Sequence, residues 1–237
     1  MNRNTFYSYV RKVPLGGKIT PDQLKGLELI LNHYEKEYPN LSLNSLAYIL
    51  ATAWGESKFI YNIEEIGGKK KPYAPFYGRG FAQLTHDFNY EKYGIKDNPK
   101  KALEPEMSVH ILFDGMIKGI FTGKKLSNYF NKRGNNPLEA RRIVNGTDKA
   151  FLFREYYFAF LRALEASTSG VETDKEVVAT KTPMMKDSSL WTFLGGLAST
   201  AIAGITTPYG LGALVVIIAA GGLFFYLRNR EKNAHGI

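Results

Sequence analysis

Residues 46–90 read LAYILATAWGESKFIYNIEEIGGKKKPYAPFYGRGFAQLTHDFNY. The first part places apolar residues at helical spacing, and Glu56 follows Ile49 by seven residues, at the border of the apolar face near the end of the helix. Glu64 and Glu65 come next, on a loop that leads into a glycine-punctuated segment rich in aromatic residues. A carboxyl group at a helix end and a second one on the following loop are the groups that acid–base cleavage of a glycosidic bond requires.

The position of Glu56 disfavours its ionised form for two reasons. Partial burial removes water from the carboxylate, and the C-terminal end of a helix is its negative pole. A carboxylic acid that keeps its proton near neutral pH can act as a general acid. Because Glu56→Gln removes a partly buried ionisable group, we expect it to leave folding unchanged or slightly improved. Helix geometry alone still favours a simpler interpretation, in which this residue is a surface glutamate at a helix end.

Cap signals on the N-terminal side of this stretch predict where helices begin. Thr20 can cap a helix whose first residue is Pro21, and Gln23 completes a capping box. Either Ser42 or Asn44 can cap the helix of the opening stretch. The sequence therefore predicts a mainly α-helical domain.

Three more helices are predicted beyond residue 90. They begin at Pro105, at Asn136-Pro137 and after Asp148 as the cap. The last one reads AFLFREYYFAFLRALEA, and it is so apolar that we expect it to cross the centre of the domain.

The loop of residues 60–80 contains Gly78 and Gly80, where close backbone approach or a positive φ is expected. A short β-hairpin packed beside the helices fits this pattern. The same region supplies aromatic faces of the kind that stack on sugar rings, namely Tyr73, Phe76, Tyr77 and Phe81.

The composition narrows the classes of partner and chemistry. A net charge of +9 suits an anionic polymer or a membrane surface. Nucleic acid is not expected, because the chain has neither zinc-knuckle spacing nor a continuous basic helix. Without cysteine it has no disulfides and no thiolate chemistry. His86 and His110 are isolated and no HExxH pattern is present, so we expect neither a metal nor a cofactor.

The composition changes after the first 167 residues. The expected order is a hydrolase-like domain (1–167), a flexible polar linker (168–189), a membrane segment (190–228) and a basic tail (229–237). Within the membrane segment, residues 209–227 carry no charge and are long enough to cross an apolar core of about 30 Å. The basic end is expected to stay cytoplasmic by the positive-inside tendency. The chain is therefore predicted to be a single-pass membrane protein with a C-terminal transmembrane helix.

The motifs WGESKF, IEEIGG and YGRGFAQLTHDFNY resemble those of the glycoside hydrolase family 19 chitinase-like enzymes, more particularly the bacteriophage endolysins of that group. The segment RRIVNG, Arg141–Gly146, is similar to the family's later substrate-binding segment. The similarity covers roughly residues 20–165. It implies a lysozyme-like helical fold with a small β-hairpin, and it outweighs the simpler interpretation of Glu56.

The resemblance implies roles for individual residues. Glu56 matches the general acid, Glu65 matches the general base, and Thr85 matches the hydroxyl residue that helps to hold the attacking water. Glu64 competes with Glu65 for the role of base. The positions implied for substrate binding are Tyr77, Arg79, Gln83, Asn89 and Asn145.

The implied reaction is inverting hydrolysis of a β-linked N-acetylhexosamine polymer, in which one carboxyl group protonates the leaving oxygen and the other activates a water. The compact, phage-like pattern favours peptidoglycan over chitin. The chain departs from the family at Gly55, where histidine is usual, and at Thr147-Asp148, where a second glycine and a glutamate are frequent.

Two other interpretations stay open. A lytic transglycosylase uses a single acid/base glutamate and does not need Glu65. A sugar-binding virion or envelope membrane protein that no longer cuts its ligand would tolerate the departure at Gly55. The expected partners are peptidoglycan and a lipid bilayer, either the membrane of a phage particle that opens the wall during entry or the host envelope during lysis.

Overall fold

Helices account for most of residues 1–169, the part of the chain that the computed structural model describes. The α-helices are α1 (Arg3–Lys12), α2 (Pro21–Glu37), α3 (Leu43–Ser57), α4 (Asp87–Lys92), α5 (Pro105–Lys118), α6 (Leu126–Tyr129) and α7 (Ala150–Thr168). Short 3₁₀ turns lie at Gly68–Lys70, Pro99–Leu103 and Glu139–Ile143. Strands β1 (Phe130–Asn131) and β2 (Gly134–Asn135) pair antiparallel. The predicted mainly α-helical class with a small antiparallel sheet is confirmed.

Helix α3 lies at the centre of the domain. Every residue from Ser45 to Trp54 is buried, so this helix is enclosed on all sides rather than on one stripe. Its N-cap is Ser42, whose hydroxyl accepts the N–H of Ser45 at 3.2 Å. Asn44, the alternative cap, instead accepts a hydrogen bond from the hydroxyl of Tyr157.

The predicted capping box of α2 is confirmed. The Thr20 hydroxyl accepts the N–H of Gln23 at 3.3 Å, and the Gln23 side chain accepts the N–H of Thr20 at 3.0 Å. One turn later Gly26 touches the chain that leaves α3, because a Cβ built on it would lie 1.8 Å from the carbonyl oxygen of Phe59. This close approach fixes where the loop begins after the helix that carries Glu56.

Helix α7 packs on one face instead of crossing the centre. Its inner face contains Phe153, Tyr157, Phe160, Ala163 and Leu164, all buried. On the outer side, Phe151 is 67% exposed, Leu152 45% and Phe158 43%, so the expectation that this helix crosses the centre of the domain is wrong. The helix has more apolar residues than the single face that meets α1 and α3 can cover. The predicted cap is also wrong, since Lys149 rather than Asp148 is the N-cap and no side chain caps the helix.

The location predicted for the hairpin is wrong as well. The two-stranded sheet lies at residues 130–135, whereas the segment predicted to form it has only isolated antiparallel bridges, Glu64 with Arg79 and Arg79 with Leu84. Side-chain hydrogen bonds from Tyr77 and Arg79 to Glu64 hold this loop without a regular ladder.

The remaining predictions on domain organisation concern the last third of the chain. From residue 170 onward, the predicted linker, membrane segment and basic tail lie outside the described residues. Within residues 1–169, no helix is both long and apolar enough to cross a membrane.

Candidate active site

A cleft of about 650 Å³ opens between the end of α3 and the loop that follows it. Six of the residues predicted for the site line this cleft, namely Glu56, Glu65, Gln83, Thr85, Asn89 and Asn145. They come from α3, from the loop before α4, from α4 itself and from the turn after residue 143. Segments that are far apart in the sequence therefore place two carboxyl groups, a hydroxyl group and three amides around one cleft.

Two predicted substrate-binding residues are not brought to this cleft. Tyr77 is 5% exposed and Arg79 is 4% exposed, and neither is among the residues that line the cleft. Both donate hydrogen bonds to the same oxygen of Glu64, the Tyr77 hydroxyl at 3.0 Å and the Arg79 Nε at 2.9 Å. The guanidinium carbon also lies 3.8 Å from the centre of the tyrosine ring. Glu64 thus neutralises a buried arginine, while Glu65 faces the cleft.

Glu65 is held by two hydrogen-bond donors and lies near one cation. The Tyr73 hydroxyl donates to Oε1 at 2.9 Å, the Gly78 N–H donates to Oε2 at 3.1 Å, and the Lys71 ammonium lies 3.7 Å from Oε1. Burial alone raises the pKa of Glu65, but the contacts with Gly78, Tyr73 and Lys71 outweigh it, and the pKa is lowered overall. The carboxylate is therefore ionised at neutral pH, the state that a general base requires.

The carboxylate of Glu56 forms an ion pair with Arg141. The Nη1 of Arg141 donates to Oε1 at 2.6 Å, and its Nε donates to the carbonyl of Asp148 at 3.0 Å. The arginine side chain is only 4% exposed, while that of Glu56 is 20% exposed. Arg141 thus places a buried positive charge beside Glu56, a partner that burial and the helix pole alone do not indicate. Sequence reasoning placed the segment RRIVNG at the site, but it did not show which of its two arginines is buried.

The turn between Gln83 and Asn89 presents its polar groups in fixed orientations. The Thr85 hydroxyl donates to the carbonyl of Gln83 at 2.8 Å, so toward the cleft it can accept a hydrogen bond. Asn89 donates to the carbonyl of Thr85 at 2.9 Å. Gln83 and His86 adopt positive φ, 49° and 73°, which is uncommon for non-glycine residues and is often found at functional sites.

Aromatic side chains that the sequence did not single out also line the cleft. The rings of His86 and Phe88 are stacked, with 5.5 Å between centroids and 7° between planes, and Phe88 is 51% exposed. Tyr73, one of the predicted sugar-stacking residues, lines the cleft and meets His86 edge-on. Phe81, another of them, is fully buried in the core. Composition indicates that aromatic residues are near the site, but exposure depends on packing that the sequence pattern does not contain.

Within residues 1–169, no group of three or more histidine, aspartate and glutamate side chains is arranged to hold a metal ion. Comparisons of the chain with protein-family models, with curated proteins and with solved structures find no match. The proposal for function therefore depends on the residues of the cleft.

Proposed function

We propose that this protein is a glycosidase that hydrolyses β-1,4 bonds between N-acetylhexosamines of bacterial peptidoglycan, with residues 190–228 anchoring it to a membrane. The single observation that carries the proposal is that Glu56 and Glu65 line the same cleft from two different elements and have different partners. Two titratable groups in contrasting environments suit the complementary roles of acid and base.

The base in this mechanism is Glu65. Its carboxylate is ionised and held in place by Tyr73 and Gly78, so it can take a proton from a water in the cleft. The Thr85 hydroxyl, whose own proton points to a backbone carbonyl, accepts a hydrogen bond from that water and orients it.

The acid is Glu56. It must carry a proton before the reaction and gives this proton to the leaving oxygen. As the proton leaves, negative charge develops on the carboxylate beside the Arg141 guanidinium, which is already in place at 2.6 Å. Preorganised positive charge at the point where negative charge develops lowers the barrier, because the interaction is stronger in the transition state than before it.

The walls of the cleft suit a sugar polymer. Gln83, Asn89 and Asn145 contribute amide groups, which donate and accept hydrogen bonds with hydroxyl and N-acetyl groups. Tyr73 and Phe88 add aromatic surface beside them. The choice of peptidoglycan over chitin rests on the resemblance to phage endolysins.

The test uses the full chain in detergent with purified peptidoglycan and, separately, with chitin. We expect new reducing ends from peptidoglycan, formed with inversion at the anomeric carbon, which NMR of the first products detects. Anhydro-sugar ends that still form with Glu65→Gln would identify a lytic transglycosylase instead. Binding to the wall without any cleavage would support a non-catalytic sugar-binding protein.

A further inference from the structure

An aromatic ring from α7 lies against the glycine that precedes Glu56. A Cβ built on Gly55 would lie 2.3 Å from Cζ of Phe153, closer than a real carbon–carbon contact allows. Phe153 is 3% exposed, so its ring is enclosed and has little room to move aside. A residue without a side chain is therefore needed at position 55, because the Phe153 ring occupies the space where a Cβ would lie.

The same ring contacts Arg141, the arginine that pairs with the proposed acid, Glu56. The guanidinium carbon of Arg141 lies 3.9 Å from the centre of the Phe153 ring, within range of a cation–π interaction. The guanidinium is planar, so a ring on its face and hydrogen bonds at its edge restrict different motions. The edge contacts go to the carbonyl of Asp148 and to Glu56. The ring lies on the face of the guanidinium, which these two hydrogen bonds at its edge leave uncovered.

We propose that Phe153 is a positioning residue that holds Arg141 against Glu56. Gly55 lacks a side chain and so leaves the space that the Phe153 ring needs to contact Arg141. This inference rests on the proposed function, because it concerns the geometry of the proposed acid. Phe153 is buried on the inner face of α7, and its contacts with Gly55 and Arg141 place it beside Glu56.

Three variants of the full chain separate positioning from packing. Phe153→Leu keeps an apolar side chain but removes the aromatic ring. Gly55→Ala adds a methyl group that clashes with the ring. In the double variant the methyl group of Ala fills part of the space that the ring leaves, but no ring faces Arg141. We expect Phe153→Leu and Gly55→Ala to lower kcat about tenfold, less than the roughly hundredfold or more of losing a preorganised contact outright, because Arg141 is still present; the change in KM should be smaller. In the double variant Tm should recover toward the wild-type value while kcat stays low.

The division of the effect between kcat and KM gives a readout that a packing role would not move. With Arg141 held less firmly, the contact that strengthens as negative charge develops on Glu56 is weakened, so kcat should fall more than KM rises. Phe160→Leu is the matched control, because it is the same substitution on the same helix but in the core. It should lower Tm and leave kcat close to the wild-type value.

Two outcomes would overturn the inference: a double variant that regains both Tm and kcat, or Phe153→Leu with unchanged kcat. An NMR signal from the Nε–H of Arg141 separates these outcomes from failure of the proposed function. In Phe153→Leu this proton should lose its ring-current shift and exchange faster with water, whether or not the protein cleaves peptidoglycan. An unchanged signal would show that the ring does not hold the guanidinium.

Discussion

The two carboxylates of the cleft are stabilised by different kinds of partner, and this difference decides how each one responds to substitution. Glu65 accepts hydrogen bonds from Tyr73 and Gly78 and lies near Lys71, so its charge is spread over several moderate contacts. Glu56 has one strong contact, with the buried side chain of Arg141. The base should therefore tolerate the loss of one donor, while the acid and its arginine depend on each other.

The acid limb of the pH profile is the first prediction at the scale of a residue. The base must be ionised, and the pKa of Glu65 is lowered from the ordinary value of 4.5, so kcat/KM should stay high at pH 4.5 and fall only below it. Tyr73→Phe removes one donor and should move this limb upward, toward pH 4.5. Tyr34→Phe is the control. It removes a hydroxyl group of α2 that donates to the carbonyl of Leu41 and does not line the cleft, so it should leave the acid limb unchanged. An acid limb well above pH 4.5 would contradict the assignment of Glu65 as the base.

Glu56→Gln should lower kcat at least about a hundredfold, because it removes the proton donor. The sequence alone predicts unchanged or improved folding for this variant, whereas in the structure the buried Arg141 would lose its charged partner. We therefore expect a loss of about 1.5–3 kcal/mol in the free energy of unfolding, the usual worth of a hydrogen bond to a charged group. A urea titration measures the loss of stability, and an assay of wall cleavage on the same variant measures the rate. A near-wild-type rate would remove Glu56 from the role of acid.

The pair Glu64 and Glu65 shows where prediction from a single residue ends. Neighbouring side chains in extended chain point to opposite sides. One of the two glutamates therefore faces the cleft and the other faces the buried Arg79. The sequence could place an acidic pair in this loop and, by resemblance, prefer Glu65. It could not show which side of the loop is the cleft, because that depends on how the loop packs on α3.

At the scale of elements, the caps at Thr20 and Ser42 were predicted correctly, whereas the cap at Asp148 was not and the helix predicted from Asn136-Pro137 is a 3₁₀ turn at Glu139–Ile143. The capping box at Thr20 and the cap at Ser42 are local hydrogen bonds, so the residues that form them are adjacent in the sequence. The loop between α3 and α4 was predicted less well, since its shape depends on bonds between distant side chains such as Arg79 and Glu64. The apolar residues of α7 indicated burial, but how much of the helix is covered depends on the size of the face that α1 and α3 offer.

The loop between α3 and α4 gives a prediction in which stability and rate separate. Glu65→Gln should lower kcat nearly as much as Glu56→Gln, with little change in Tm, because an amide still fits beside Tyr73. Glu64→Gln should leave the rate close to wild type but lower stability by about 1–2 kcal/mol, since Arg79 is buried while Glu64 is partly exposed. Rates of wall cleavage and thermal melts of both variants measure this. The opposite order of rates would assign the role of base to Glu64.

At the scale of the whole molecule, the described domain builds its own core. The contiguous apolar core runs from Phe6 in α1 to Leu164 in α7, so both ends of the domain contribute to it. The backbone N–H of Asn2 also donates to the carbonyl of Ser167 at 2.9 Å, which ties the first helix to the last. All residues of this core lie within residues 1–169, the part of the chain that the structure describes. The domain boundary near residue 167 stays a prediction from the change of composition.

The last prediction concerns the predicted membrane segment. The full chain should float with lipid vesicles, because residues 209–227 are an uncharged apolar run long enough to cross a bilayer. Deletion from Leu190 onward should release the protein into solution with a cooperative melt and undiminished cleavage of isolated wall, since the core closed between α1 and α7 is kept whole. Deletion of residues 229–237 alone is the control and should leave flotation intact, because the basic tail is not the apolar run. A truncated protein that aggregates or loses its cooperative melt would mean that the apolar run stabilises the domain directly. Residues 209–227 would then be a core helix of the domain and not a membrane anchor.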